Sequence, residues 1–219
     1  ANEYHLRKWA NDLKIPILGI DYCLSPENRY PAALNDIWQG YHWLINNAET
    51  EFGIKPRRII LAGDSAGWNL VVALTYLLVL RNVQLLPKAI FIFYPALKMS
   101  LEVLSLSYFN AVTDTILDYG LLKYCIQSYL GTFNDTKNMF FSPLFMADWV
   151  IKKLPPVRIF GGSSDPLRDD SIYLLEKLVK MRETFSQCED LEEVDLESEK
   201  FKKEMSELSE NFGSSFKKE

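Results

Sequence analysis

The chain has 219 residues, enough for one domain with a well-buried core. Hydrophobic residues make up 48% and charged residues 24%, as in ordinary soluble globular proteins. A net charge of −5 argues against the broad basic face that a nucleic-acid partner requires.

The three cysteines, Cys23, Cys125 and Cys188, lie far apart, so neither a disulfide framework nor a zinc site is expected. With sparse cysteines and no secretory signal in these residues, an intracellular, cytoplasmic protein is expected, with the organelle open. The longest apolar run, Leu70 to Leu80, is too short to cross a bilayer. Ala rather than Met stands first, which is expected of a processed or trimmed product.

In chain order the elements alternate. Residues 2–13 read as a helix with Tyr4, Leu6, Trp9 and Leu13 on one side. Ile15 to Asp21 reads as a buried parallel strand. Pro31 to Asn47 carries Leu34, Ile37, Trp38, Tyr41, Leu44 and Ile45 at helical spacing. Arg58 to Ala62 predicts a strand, Ala66 to Arg81 a helix, and Lys88 to Tyr94 a strand. Val157 to Phe160 predicts a further strand after two prolines, and Asp169 to Met181 a helix. Such alternation implies an α/β fold, a mostly parallel sheet with helices on both faces.

Residues 96–150 break the alternation, with one predicted helix at Asp118 to Leu130 and many aromatics. They form either a lid over a site or an extended crossover. Residues 1–185 thus read as one domain, and 186–219 as an acidic amphipathic helical tail. Leu191, Val194, Phe201, Met205, Leu208, Phe212 and Phe216 put one apolar stripe along that tail, a possible docking face for a protein partner.

The most informative string is Gly63-Asp64-Ser65-Ala66-Gly67, a G-x-S-x-G between a predicted strand and an apolar helix. A serine on such a turn stands exposed, small neighbours let the backbone close, and the following helix aims N–H groups at developing negative charge. With Asn69, this string resembles the GDSAGGN motif of the hormone-sensitive-lipase group of α/β-hydrolases. Asp21 to Glu27 with Tyr30-Pro31-Ala32-Ala33 resembles that family's D-Y-R-L-A-P-E segment. Asp165-Pro166-Leu167-Arg168-Asp169 resembles its D-P-L-x-D segment.

The resemblance implies Ser65 as nucleophile, Asp165 as the triad acid and the Ala66 N–H as an oxyanion donor. An acyl ester or lipid would be the substrate, with no metal or organic cofactor. Asp64 reads as a brace of the elbow and Glu27 as a tie for its loop; Asp169 and Asp170 could stand in as the acid, but their place at a helix start reads as capping.

Three departures follow. The histidines are His5 and His42, both ahead of Ser65, so no triad histidine is available after Asp165. Loss of that base in a comparable triad costs on the order of 10⁶ in turnover. Glu193, in the histidine's neighbourhood, is a far weaker base, with a reference pKa near ~4.3. The HGGG segment that supplies further oxyanion donors is not in these residues. Finally, Trp68 stands at the motif's second glycine, where its bulk would fill the site or push the turn unless it faces away. An ester hydrolase inert as the chain stands is therefore expected, with a silent structural or interaction subunit as the alternative.

Overall fold

The computed structural model describes residues 3–100, 105–133 and 135–186. Three parallel strands form its sheet in the order β1 (Ile60–Asp64), β2 (Ala89–Phe93), β3 (Val157–Phe160). Ile60 is level with Ala89 and Asp64 with Phe93; Ile90 is level with Val157 and Phe93 with Phe160. Parallel pairing demands a crossover between neighbours. Helix α3 (Ala66–Leu80) supplies the first, and the long segment from Tyr94 to Pro156 the second.

Strand side chains alternate between faces. Ile90 and Ile92 are fully buried on one face, beneath α3. Helix α3 is apolar all round and buried from Trp68 to Leu80, as a helix enclosed on every side must be. Its outer side meets α2 (Ala32–Phe52) and α5 (Asp148–Lys153). The opposite face carries Ile60, Ala62, Phe91, Phe93, Arg158 and Phe160, and α1 (Glu3–Leu13) reaches it by stacking Trp9 on Phe93 at 6.3 Å.

Several predicted bounds move: the strand expected at Arg58 to Ala62 is Ile60–Asp64, and the helix expected at Asp169 to Met181 is Arg168–Ser186. Helix α2 runs to Phe52 rather than Asn47, because its first left-handed residue is Gly53 (φ 65°). The Gly53 and Ile54 N–H groups close the last turn on the Glu49 and Ala48 carbonyls. Ile15 to Asp21 is not a strand. A strand needs a neighbouring ladder, and none among the described residues lies beside it; Ile15, Ile17 and Leu18 are exposed. Asp36 of α2 nonetheless anchors the end of this segment by accepting the Cys23 N–H at 2.8 Å.

The insert divides in two. Phe140, Met146, Val150 and Ile151 belong to the main core. Tyr108, Leu122, Ile126, Leu130 and Phe141 form a second, smaller cluster with Met99 and Leu167. This second cluster holds the 3₁₀ turn Leu106–Val112 and α4 (Tyr119–Leu130), with Tyr30 packed edge-on against Phe141, Tyr129 and Phe133. No helix among the described residues is long and apolar enough to cross a membrane. The tail from residue 187 onward lies outside the described residues, as does Cys188.

Asn69 joins the two halves. Buried in the first turn of α3, it donates from Nδ2 to the Ala96 carbonyl at 3.0 Å and the Phe141 carbonyl at 2.8 Å. Truncation leaves two carbonyls unpaired, although relief of the unpartnered Asn69 Oδ1 offsets part of the cost. Asn69→Ala should therefore lower unfolding stability by about 2–3 kcal/mol, read as a reduced urea midpoint at unchanged slope.

Candidate functional site

Ser65 sits between the last residue of β1 and the first of α3 at φ 50°, ψ −116°, a conformation that L-residues avoid. Such a backbone costs on the order of 1–3 kcal/mol and persists only where its surroundings enforce it. Here the Ser65 N–H donates to the Phe93 carbonyl at 3.0 Å, carrying the β1–β2 ladder one residue past the strand. Helix α3 then begins at once, so Ser65 and Ala66 are left exposed at the carboxyl edge of the sheet.

Gly63 permits this turn. A Cβ there would lie 2.6 Å from the Gly67 carbonyl carbon and 2.7 Å from the Trp68 nitrogen, both backbone atoms that cannot yield. Gly67 is different: a Cβ on it would meet only Asp64 Oδ1 at 3.8 Å, an ordinary contact. Asp64 also accepts from the Tyr94 hydroxyl at 3.3 Å, joining the ends of β1 and β2.

Asp165 lies in the loop after β3, half-buried. Its Oδ1 accepts the Leu167 N–H at 2.8 Å and its carbonyl accepts the Arg168 N–H at 3.1 Å, a local turn that leads into α6 (Arg168–Ser186). Because the strands are parallel, the segments that carry Ser65 and Asp165 leave the sheet at the same end, from strands that stand two widths, roughly 10 Å, apart.

Asp169 is held by other groups. It accepts the Ser107 N–H at 2.8 Å and returns its own N–H to Ser107 Oγ at 3.1 Å. Burial opposes its ionisation, yet the Ser107 N–H and the Arg168 guanidinium hold its carboxyl below the usual range. Ser107 Oγ also donates to the Pro166 carbonyl, and Asn110 Nδ2 to the Ser164 carbonyl. The insert is thus latched onto the loop that presents Asp165. Nothing in the sequence marks this latch, since Ser107 and Asp169 are 62 residues apart and belong to no motif.

Neither histidine meets Ser65. His42 lies on α2 against Trp38, ring centroids 4.2 Å apart, with its Nε2 buried and unpartnered. His5 is exposed on α1, edge-on to Tyr4. Trp68 turns into the main core and is 1% exposed, so it neither fills the site nor unseats the turn. Glu27 is exposed and bonds to nothing among the described residues; Ser25 Oγ, donating to the Asn28 carbonyl at 2.9 Å, closes that loop instead. Glu193 lies outside the described residues.

A parallel sheet with helices packed against it is the frame on which the comparisons agree. A family profile described as the alpha/beta hydrolase fold matches residues 2–194. The chain belongs to the α/β-hydrolase family, and within it to the hormone-sensitive-lipase type.

The mouse hormone-sensitive lipase is 33% identical over 132 residues, which cover 60% of this chain and 17% of that lipase. An esterase of Acinetobacter venetianus is 34% identical over 168 residues, covering 77% of this chain and 52% of that esterase. Among solved structures, the hyperthermophilic esterase of the archaeon Pyrobaculum calidifontis superposes with a TM-score of 0.73 at 27% identity. It shares 81% of this chain and 56% of its own. A thermostable carboxylesterase cloned from a metagenomic library gives 0.75 at 28%, sharing 82% and 60%. This α/β-hydrolase chain therefore spans about half the length of the esterases it matches.

Two measurements follow from the site. Gly63→Ala should cost more than about 2 kcal/mol of unfolding stability through backbone collision, whereas Gly67→Ala should stabilise by about 0.5–1 kcal/mol as a helical glycine replaced. Equal effects at both positions would contradict the elbow geometry.

The second concerns Asp170, whose Oδ2 is buried without a partner. Burial pushes its carboxyl up from 3.8 to about 6, with Lys98 pulling it back and Asp169 adding to the rise. The folded state therefore binds the proton more tightly than the unfolded state. The stabilisation is full below pH 3.8 and is lost as pH rises through about 6. At pH 8 the loss is on the order of 3 kcal/mol. Asp170→Asn should flatten this slope, gaining stability on the parent between pH 4 and pH 8 in urea titrations.

Proposed function

We infer that Ser65 is the nucleophile of a serine carboxylic-ester hydrolase site, with Asp165 as its acid and the Ala66 N–H as an oxyanion donor. The single observation carrying this reading is Ser65 held at φ 50°, ψ −116° between a strand and a buried helix, the turn that exposes a nucleophile. Ser65 Oγ attacks the ester carbonyl, its proton passes to a base, the alkoxide leaves, and water then releases the acyl group. The related proteins named above, esterases and a lipase, support acyl esters as the substrate class.

The missing part is the base. With His42 stacked on Trp38 and His5 exposed on α1, these 219 residues supply a nucleophile and an acid but no imidazole for the proton. A serine hydroxyl without one stays protonated near neutral pH. The chain alone is inert by this reading, and the base and the remaining oxyanion donors would come from outside it.

A second reading, a silent subunit, is favoured by one observation. Leu106, Phe109 and Val112 recur every third residue on the insert's 3₁₀ turn and are 78%, 67% and 75% exposed. Side chains at that spacing eclipse and form one apolar ridge, suited to a partner surface.

Added imidazole separates the two. The chain is expected to leave p-nitrophenyl butyrate at background rates, and imidazole should restore cleavage above that of Ser65→Ala in the same buffer. A fluorophosphonate should then label the parent and not the variant. Rescue that is equal in both proteins removes Ser65 as nucleophile and leaves the subunit reading. Ser65-dependent turnover without imidazole removes the inertness.

A further inference from the structure

The loop that carries Asp165 opens with Gly161 and Gly162, and little within it fixes its course. Neither glycine sits at positive φ, and a Cβ on Gly161 would meet nothing within 4 Å, so both leave the backbone freer than a side chain would. The Asp165 N–H reaches the Gly162 carbonyl at 3.3 Å, the long end of a hydrogen bond. The carbonyls around Asp165 are instead held by side chains. Arg168 Nη1 donates to Ser163 at 2.8 Å, Asn110 Nδ2 to Ser164 at 3.3 Å and Ser107 Oγ to Pro166 at 2.8 Å.

Two of these three donors come from the insert. Ser107 and Asn110 stand three apart on the 3₁₀ turn, where side chains at that spacing eclipse, so one face of the turn delivers both. Asn110 grips the residue before Asp165 and Ser107 the residue after it. Asp169 closes the ring. Its Oδ2 accepts the Ser107 N–H at 2.8 Å, and its Oδ1 accepts Arg168 Nε at 3.1 Å and Nη2 at 2.9 Å. Because Arg168 also holds the Ser163 carbonyl, the contacts form one connected network. Ser107 is 2% exposed, so water cannot take over the bonds it makes.

We propose that Ser107 and Asn110 are positioning residues for Asp165, aiming its carboxylate through the Ser164 and Pro166 backbone. This role rests on Asp165 being the acid of the hydrolase site inferred above. An acid that orients a base must be placed within narrow limits, and a misplacement of about 1 Å can cost on the order of 10²-fold in rate. Asp165 commits Oδ1 to the Leu167 N–H at 2.8 Å. The direction of its carboxylate therefore follows from how the backbone on either side is held.

One arm of the test needs no turnover. In the 219-residue chain the Leu167 and Arg168 amides should exchange about tenfold faster in Ser107→Ala and about threefold faster in Asn110→Ala, with the amides of α3 unchanged. Asn110 lies outside both apolar clusters, so its truncation leaves the core intact. The other arm is imidazole-dependent cleavage of p-nitrophenyl butyrate. Ser107→Ala should raise the imidazole concentration for half-maximal rate about fivefold at unchanged KM for the ester, and should add nothing to Asp165→Ala. Unchanged exchange in both variants overturns the proposal. So does an equal Ser107→Ala effect with and without Asp165, the result a merely structural brace would give. A parent without Ser65-dependent turnover overturns the hydrolase reading itself, and the positioning role falls with it.

Discussion

The Ser65 N–H donates to the Phe93 carbonyl one residue beyond the end of β1, and the backbone there must turn directly into α3. That hydrogen bond and the buried helix together enforce a positive φ on a residue with a side chain. Everything around the turn accommodates it. Gly63 gives up its Cβ so that the Gly67 and Trp68 backbones can pass, and Asp64 is held by Tyr94 from the neighbouring strand. Helix α3 is buried on all sides, so the turn cannot relax by swinging the helix away. The strain is small beside the burial of that helix, which is why it survives.

Within the proposed site, proton transfer is the step these residues do not provide for. A serine hydroxyl reacts only when something accepts its hydrogen as the carbonyl is attacked. His42 is spent on packing with Trp38, and His5 faces solvent beside Tyr4. On the function proposed above, these residues present the oxygen without the imidazole that would make it nucleophilic.

The insert links the mount to the acid loop. Ser107 is bonded to both Asp169 and Pro166, and Asn110 to Ser164, so the 3₁₀ turn and the Asp165 loop are tied together. Beneath the latch, Asp170 and Tyr108 are buried with unpartnered oxygens, and burial raises both groups. Buried polar atoms left unpaired are a cost that a stable core avoids. Here they lie beside the Asp165 loop, next to an exposed apolar ridge.

Much of this was legible from the chain alone. Strand β3 falls on Val157–Phe160 as its prolines and glycines bracket it, and α3 begins at Ala66 as the elbow spacing requires, because local punctuation and periodicity act over a few residues. The parallel α/β order and the family followed from the same short-range signals. Tertiary structure decided the rest. Ile15 to Asp21 has the composition of a strand, but pairing depends on what lies beside it. Trp68 turns inward because a core pocket under α3 accepts it, which no adjacent residue reveals. The Ser107–Asp169 latch joins residues 62 apart, and only the fold brings such groups together. Local sequence encodes which backbone each segment prefers; which surfaces meet is settled by burial, and burial is a property of the whole.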